Sequence, residues 1–332
     1  QELHAVAKAH GWSVDRLHVY EMSAAEAGLI EQHENTLYAP AEVELGERVQ
    51  ALMREVDRVK PTRVVLDSCS ELRLLAQSPL RFRRQLLALK EYLVRKDCTI
   101  LLLENPTSVG GDPLLQSLVH GVLAMEQLAP LYGAERRRLR VVKMREVQYR
   151  GGYHDMMIRR GGVHVFPRLI AAEHHQPFVS EQVSSGVPAL DSLLDGGLDR
   201  GTSTLVIGPA GSGKSTVALQ YTFSAIQRGE NAAYFTFDEG AGTLVERSTR
   251  LGMSLAPFLQ SERLLLQQID PAELSPGEFT HVVRNAVEQR GVSLVVIDSL
   301  NGFLQAMPEE HFLTTQLHEL LSYLRQRGVL TL

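Results

Sequence analysis

The segment Thr62–Leu101 lies without gaps on Ser293–Leu332, and this repeat restricts the fold more than any other feature of the chain. Val64-Val65-Leu66-Asp67-Ser68 meets Val295-Val296-Ile297-Asp298-Ser299. Leu72 meets Phe303, Leu86 meets Leu317, Leu89 meets Leu320, and Tyr92-Leu93 meets Tyr323-Leu324. Upstream, Gly11-Trp12-Ser13 matches Gly252-Met253-Ser254 at a longer offset, which puts extra residues of the first copy near the polar stretch Glu31 to Glu44. Each copy then reads in one order: a helix ending at glycine, a strand-like run, a helix, an apolar strand closed by Asp-Ser, an amphipathic helix and another apolar strand. Strands that are apolar on both sides leave no face for water. Alternating with helices, they predict a parallel sheet covered above and below. Copies this far apart are domains, not solenoid units.

The 332 residues suit about two domains. With 44% hydrophobic and 22% charged residues, the chain can fill two cores, which excludes disorder as a description of the whole. No apolar run approaches the ~20 residues of a membrane span. A net charge of −5 gives no bulk attraction to nucleic acid or to an anionic membrane. Two cysteines, Cys69 and Cys98, are too few for a disulfide framework or a structural zinc site. Cys98 opens an apolar run and reads as a small buried residue. These features point to a cytoplasmic protein. The chain opens on Gln1 in mid-helix and closes on the strand-like Gly328–Leu332, so it reads as an excerpt of a longer one.

Leu205-Val206-Ile207 reads as a short buried strand running into Gly208-Pro209-Ala210-Gly211-Ser212-Gly213-Lys214-Ser215, with Thr216 next and a helical stretch, Val217 to Gln227, after it. This is G-x-x-x-x-G-K-[ST] in its strand–loop–helix setting. Glycine lets the backbone wrap a phosphate without a Cβ in the way. The amides from Gly211 to Thr216 then form an anion nest at a helix start. Lys214 adds a point charge toward the terminal phosphates, and the Ser215 hydroxyl can ligate Mg2+.

Such a loop needs a carboxylate at the end of a neighbouring buried strand to hold the metal. Leu294–Ile297 ends in Asp298, with capping of the next helix as the alternative; the recurrence of the same acid as Asp67 favours the metal role. Hydrolysis needs a group that orients or deprotonates water. Ala233–Phe237 reads as a strand ending in Asp238-Glu239-Gly240, at the edge where α/β proteins bind ligands. Asp238 and Glu239 are both assigned to water activation, with N-capping of the next helix as the alternative.

These motifs, led in by Ser185-Gly186-Val187-Pro188-Ala189-Leu190-Asp191 and Gly196-Gly197-Leu198-Asp199-Arg200-Gly201, resemble the KaiC family of circadian-clock ATPases within the RecA-like P-loop superfamily. The resemblance covers nearly the whole chain. It implies an α/β fold of two tandem RecA-like domains with mainly parallel central sheets, both incomplete here. The first, residues 1–177, lacks its N-terminal P-loop portion; the second, residues 178–332, has its P-loop and is incomplete at its C-terminus. Ala171–Ser180 is the polar linker between them. Similar members carry K-x-R on a late strand, reaching the γ-phosphate of ATP on a neighbouring subunit, and Lys143 and Arg145 hold those positions. A position with His in typical members holds Tyr149 here.

The resemblance further implies ATP and Mg2+ as cofactors, ATP hydrolysis, a homo-hexameric ring with nucleotide at subunit interfaces, and regulatory protein partners. A Ser/Thr autokinase segment would lie past Leu332. Two other readings are a RecA- or RadA-like DNA-dependent ATPase and a non-enzymatic scaffold assembled by ATP. The first needs basic, glycine-rich loops facing a channel. Glu104–Pro113 has no Lys or Arg, and Arg136-Arg137-Arg138 with Arg140 reads as a solvated hairpin, so nucleic acid is not an expected partner.

Overall fold

The computed structural model describes residues 2–21, 40–76, 78–105, 113–130, 133–305 and 312–332. Most of the Glu31–Glu44 stretch and of the Glu104–Pro113 loop lies outside them. Two compact units emerge: residues 1–122 with 142–149, and residues 123–141 with 150–332.

In the first unit, α1 (Glu2–His10) stops at Gly11, whose φ is 72°. It is followed by α2 (Pro40–Val59), β1 (Arg63–Asp67), α3 (Cys69–Ala76), α4 (Pro79–Arg95), β2 (Thr99–Leu103) and α5 (Pro113–Leu118). Strands β1 and β2 are parallel, from Arg63 opposite Thr99 to Asp67 opposite Leu103. Phe82, Leu86, Leu89 and Leu93 recur at helical spacing along α4 and bury one stripe. That stripe packs with Val49, Leu52 and Val56 of α2 and with Leu66 and Leu72. Both cysteines are free and buried. Burial, with the nearby Glu104 carboxylate, pushes the Cys69 thiol up to about 11, and burial also raises that of Cys98, so neither is poised as a thiolate.

The second unit holds most of a four-stranded sheet in the order β3 (Gly121–Leu128), β4 (Arg136–Met144), β5 (His154–Arg159), β6 (Gly162–Phe166). The β4–β5 and β5–β6 pairs are antiparallel. The chain continues through β7 (Gln182–Val183), α6 (Pro188–Leu193), β8 (Leu198–Asp199), α7 (Lys214–Gln227), β9 (Asn231–Thr236), α8 (Ala241–Arg250), α9 (Ala256–Gln260) and β10 (Leu264–Gln268). It ends with α10 (Pro276–Arg290), β11 (Val292–Asp298), α11 (Leu300–Gln305), α12 (Leu313–Gln326) and β12 (Leu330–Thr331). Strands β10, β9, β11 and β12 form a parallel sheet in that order. Side chains alternate along it with period two. Ala233, Phe235 and Val295 face a core with α10 and α12; Ala232, Tyr234, Leu294 and Val296 face a second core with α7.

The two copies of the repeat are built alike. Arg63 pairs with Thr99, and their counterparts Leu294 and Leu330 pair in the same way. The matched residues Leu72 and Phe303, Leu89 and Leu320, and Leu93 and Leu324 are all buried. The Asp67–Ser68 and Asp298–Ser299 peptides are both cis.

Two expectations change. Leu205–Ile207 is not a buried strand: Leu205 is 69% exposed and Ile207 81%. A single parallel bridge joins Ser203 to Thr331 just before it, and the backbone from 204 to 208 is irregular. The segment Ala171–Ser180 is not a free linker throughout. Ala171–His174 forms a 3-10 turn in which Ala171 is buried, and the His174 ring stands edge-on to Tyr323 at 5.2 Å.

Candidate nucleotide site

The loop from Gly208 to Gly213 delivers the chain into α7. Gly213 has φ 93°, a conformation most side chains resist, and it turns the backbone directly into the first helical turn. At Gly208 the limit is space: a Cβ there would stand 2.5 Å from the Ser212 hydroxyl oxygen. Gly211, with φ 78°, lies between them. Lys214 opens the helix and folds back over the loop. Its Nζ donates to the carbonyls of Gly208 and Pro209, each at 2.9 Å. Ser215 and Thr216 follow in the first turn of α7, where amides have no intrahelical acceptor. The structure thus brings Gly208, Gly211, Ser212, Gly213, Lys214, Ser215 and Thr216 together as one turn.

The acids stand at the carboxyl edge of the parallel sheet. Thr236 of β9 lies opposite Asp298 of β11. Asp298 shares its sheet face with Leu294 and Val296, which pack under α7, so its carboxylate is on the side of the helix that the loop feeds. It does not cap the next helix: Ser299 does, its hydroxyl accepting from the Gly302 amide at 3.0 Å. The same hydroxyl donates to Asp238 at 2.6 Å. Capping does not account for Asp238 or Glu239 either, because Gly240 is the residue that enters α8. Glu239 accepts from Arg247 of α8 at 2.6 Å. One strand, β12, lies between β11 and the bridge at Ser203, so the Asp298 strand is not the immediate neighbour of the segment that leads into the loop.

Sequence reasoning missed Tyr234. Its hydroxyl donates to Asp298 Oδ2 at 2.5 Å from a side chain with no exposed surface. Arg247 was missed too. Neither residue belongs to a motif, and only the pairing register and the packing of α8 bring them to the site.

In the first unit, Lys143 lies in β4 and Arg145 just past its end. Lys143 donates to the carbonyl of Gln116 at 2.6 Å and Arg145 to that of Ser117 at 2.9 Å. Lys90 donates to Leu118 O at 2.8 Å. Three cations therefore converge on the last turn of α5, where helix carbonyls are free and the dipole is negative. Desolvation, with the charges of Arg145 and Lys90, holds the Lys143 ammonium below the usual lysine range. The hydroxyl of Tyr149 donates to Val142 O at 3.2 Å.

The arginines expected in a solvated hairpin are engaged. Arg136 donates to the carbonyls of Pro271, Ala272 and Glu273. Arg138 pairs with Glu126 at 2.9 Å, and Arg138 and Arg140 stack over Tyr153.

A lysine-bearing glycine turn entering a helix, with carboxylates at the carboxyl edge of a parallel sheet, defines the P-loop class of nucleotide-binding proteins. The KaiC ATPase family model matches residues 1–170 and 183–332. The chain belongs to the KaiC ATPase family and carries its two tandem RecA-like segments. It is 28% identical over 169 residues, 51% of its length, to the circadian clock protein KaiC2 of Synechocystis sp.. It is 29% identical over 158 residues, 45% of its length, to KaiC3 of the same organism. It is 25% identical over 183 residues, 55% of its length, to the circadian clock oscillator protein KaiC of Picosynechococcus sp.. The aligned residues span about a third of each curated relative: 30%, 31% and 35%. No helix among the described residues is long and apolar enough to cross a membrane.

The family implies ATP. The residues fit a phosphate chain: a glycine turn packed closely against Ser212 at Gly208, and an ammonium whose partners among the described residues are loop carbonyls that an anion can replace. They also fit a magnesium ion. Ser215 and Asp298 are oxygen donors on the α7 side of the sheet, and a hard cation prefers oxygen. Among the described residues no three His, Cys, Asp or Glu side chains gather into a cage.

Proposed function

We propose that residues 178–332 form an ATP-binding and ATP-hydrolysing domain of a KaiC-like ring protein. The observation that carries this reading is the turn at Gly208–Lys214 entering α7, with Asp298 on the same side of the sheet. A domain boundary at 177/178 is supported by the break in the family match between residues 170 and 183. Gly208, Gly211, Ser212, Gly213 and Thr216 cradle the phosphates, and Lys214 exchanges its loop carbonyls for phosphate oxygens. Ser215 and Asp298 hold Mg2+, which neutralises phosphate charge when bound. Asp238 and Glu239 order and activate water. Asp238 carries the larger share, because it is exposed and bound through the Ser299 hydroxyl, while an ion pair ties the half-buried Glu239 to Arg247.

In the first domain, Lys143 and Arg145 serve the γ-phosphate of a neighbouring copy by leaving the α5 carbonyls. Ring assembly, regulatory partners and Ser/Thr autophosphorylation belong to this reading as properties of the full-length protein. The test is Lys214→Ala in that protein. Calorimetric titration with a non-hydrolysable ATP analogue is expected to lose one bound nucleotide per chain. Undiminished stoichiometry and affinity would overturn the assignment.

A further inference from the structure

Tyr234 is a phenol where the parallel strand calls for an apolar residue. It lies in mid-β9 opposite Val296 of β11, and Thr236 lies opposite Asp298. Residues 234, 236, 296 and 298 therefore share one sheet face. Around the ring are Leu219, Leu294, Val296 and other members of the core beneath α7. A hydroxyl buried in such a core needs a partner. It finds one two residues further toward the carboxyl edge, across the strand pair, on Asp298 Oδ2 at 2.5 Å.

We propose that Tyr234 is a positioning residue for the metal-holding carboxylate. Its phenol fixes one oxygen of Asp298 and turns the other toward the start of α7. This rests on the nucleotide–metal reading above and adds a residue to it. Among the described residues the phenol is the donor that the Asp298 carboxylate has, so nothing else fixes its rotation. The ring is packed on all sides and cannot swing away, which makes the bond directional.

The test is Tyr234→Phe in the full-length protein, which deletes one oxygen and keeps the ring in its core. Binding of a fluorescent ATP analogue in EDTA reports the P-loop without metal and is expected to match the parent, which also shows that the domain is folded. Mn2+ then stands in for Mg2+ and is counted by paramagnetic resonance in the presence of a non-hydrolysable analogue. Its half-saturating concentration is expected to rise roughly 10-fold, the effect typical of losing an outer partner of a metal ligand. Asp298→Ala is measured alongside. If Asp298→Ala weakens Mn2+ binding and Tyr234→Phe leaves it within about 2-fold of the parent, the positioning role is overturned. If Asp298→Ala also leaves Mn2+ binding intact, the metal reading itself falls and takes this inference with it. Weaker analogue binding in EDTA for Tyr234→Phe assigns the phenol to packing and overturns the proposal as well.

Discussion

Asp238 and Glu239 are adjacent carboxylates with different partners. A hydroxyl donates to Asp238 and leaves its charge in place, whereas a guanidinium neutralises Glu239. Asp238 is also exposed to solvent, whereas Glu239 is half-buried and its ion pair ties it to α8, so Asp238 is the freer of the two to meet a water. Asp238→Asn is therefore expected to lower ATP turnover by about 100-fold or more, within the range of general-base loss, and Glu239→Gln by clearly less. Steady-state phosphate release by the two variants measures the difference, and equal losses would remove the distinction. The pair was legible in the sequence because it follows a strand. Its division of labour was not, since Ser299 and Arg247 arrive from β11 and α8 by folding.

Elements in the second unit are tied at the sheet edge away from the loop by Glu230, in the turn between α7 and β9. Its carboxylate takes the Ser293 hydroxyl of β11 at 2.7 Å, Arg200 after β8 at 3.0 Å and Arg228 at 3.0 Å. Burial works against its ionisation, but the Ser293 hydroxyl and the two guanidinium groups outweigh it and hold the acid below the ordinary range near 4.5. A carboxyl depressed in the folded state stabilises fully above its unfolded range and loses that contribution as pH falls through its folded value. Glu230→Gln is expected to be less stable than the parent by about 2 kcal/mol at pH 7. That gap closes as the pH drops below the ordinary glutamate range. Urea unfolding at several pH values measures it, and a gap independent of pH would contradict the charge argument. At this scale the sequence was a good guide to helices α4, α7 and α12 and strands β9 and β11, whose apolar spacing is local. It read 205–207 as a buried strand, where the structure has irregular backbone with Leu205 and Ile207 exposed.

At the scale of the whole molecule, the aromatic core of the second unit joins α10, α11 and the strands. Phe279 meets Phe235, Phe237 and Phe303 at centroid distances of 5.4, 5.6 and 5.3 Å. These rigid contacts hold the carboxyl ends of β9 and β11 together, where the acids lie. The proposed ring makes assembly depend on nucleotide. Native mass measurement of the full-length protein is expected to show higher-order assembly with ATP and Mg2+ and its loss in Lys143→Ala/Arg145→Ala; a monomer under both conditions would count against the ring.

Local order was enough for the sequence alone to determine the duplicated strand–helix pattern, the phosphate-type loop from 208 to 216 and the acids that end their strands. Only the tertiary structure decided that a buried phenol grips Asp298, that arginine holds Glu239, and that Lys90 joins Lys143 and Arg145 at α5. Each of those contacts depends on which strands and helices become neighbours and in what register. Many distant contacts set that choice together, and no periodicity along the chain encodes it.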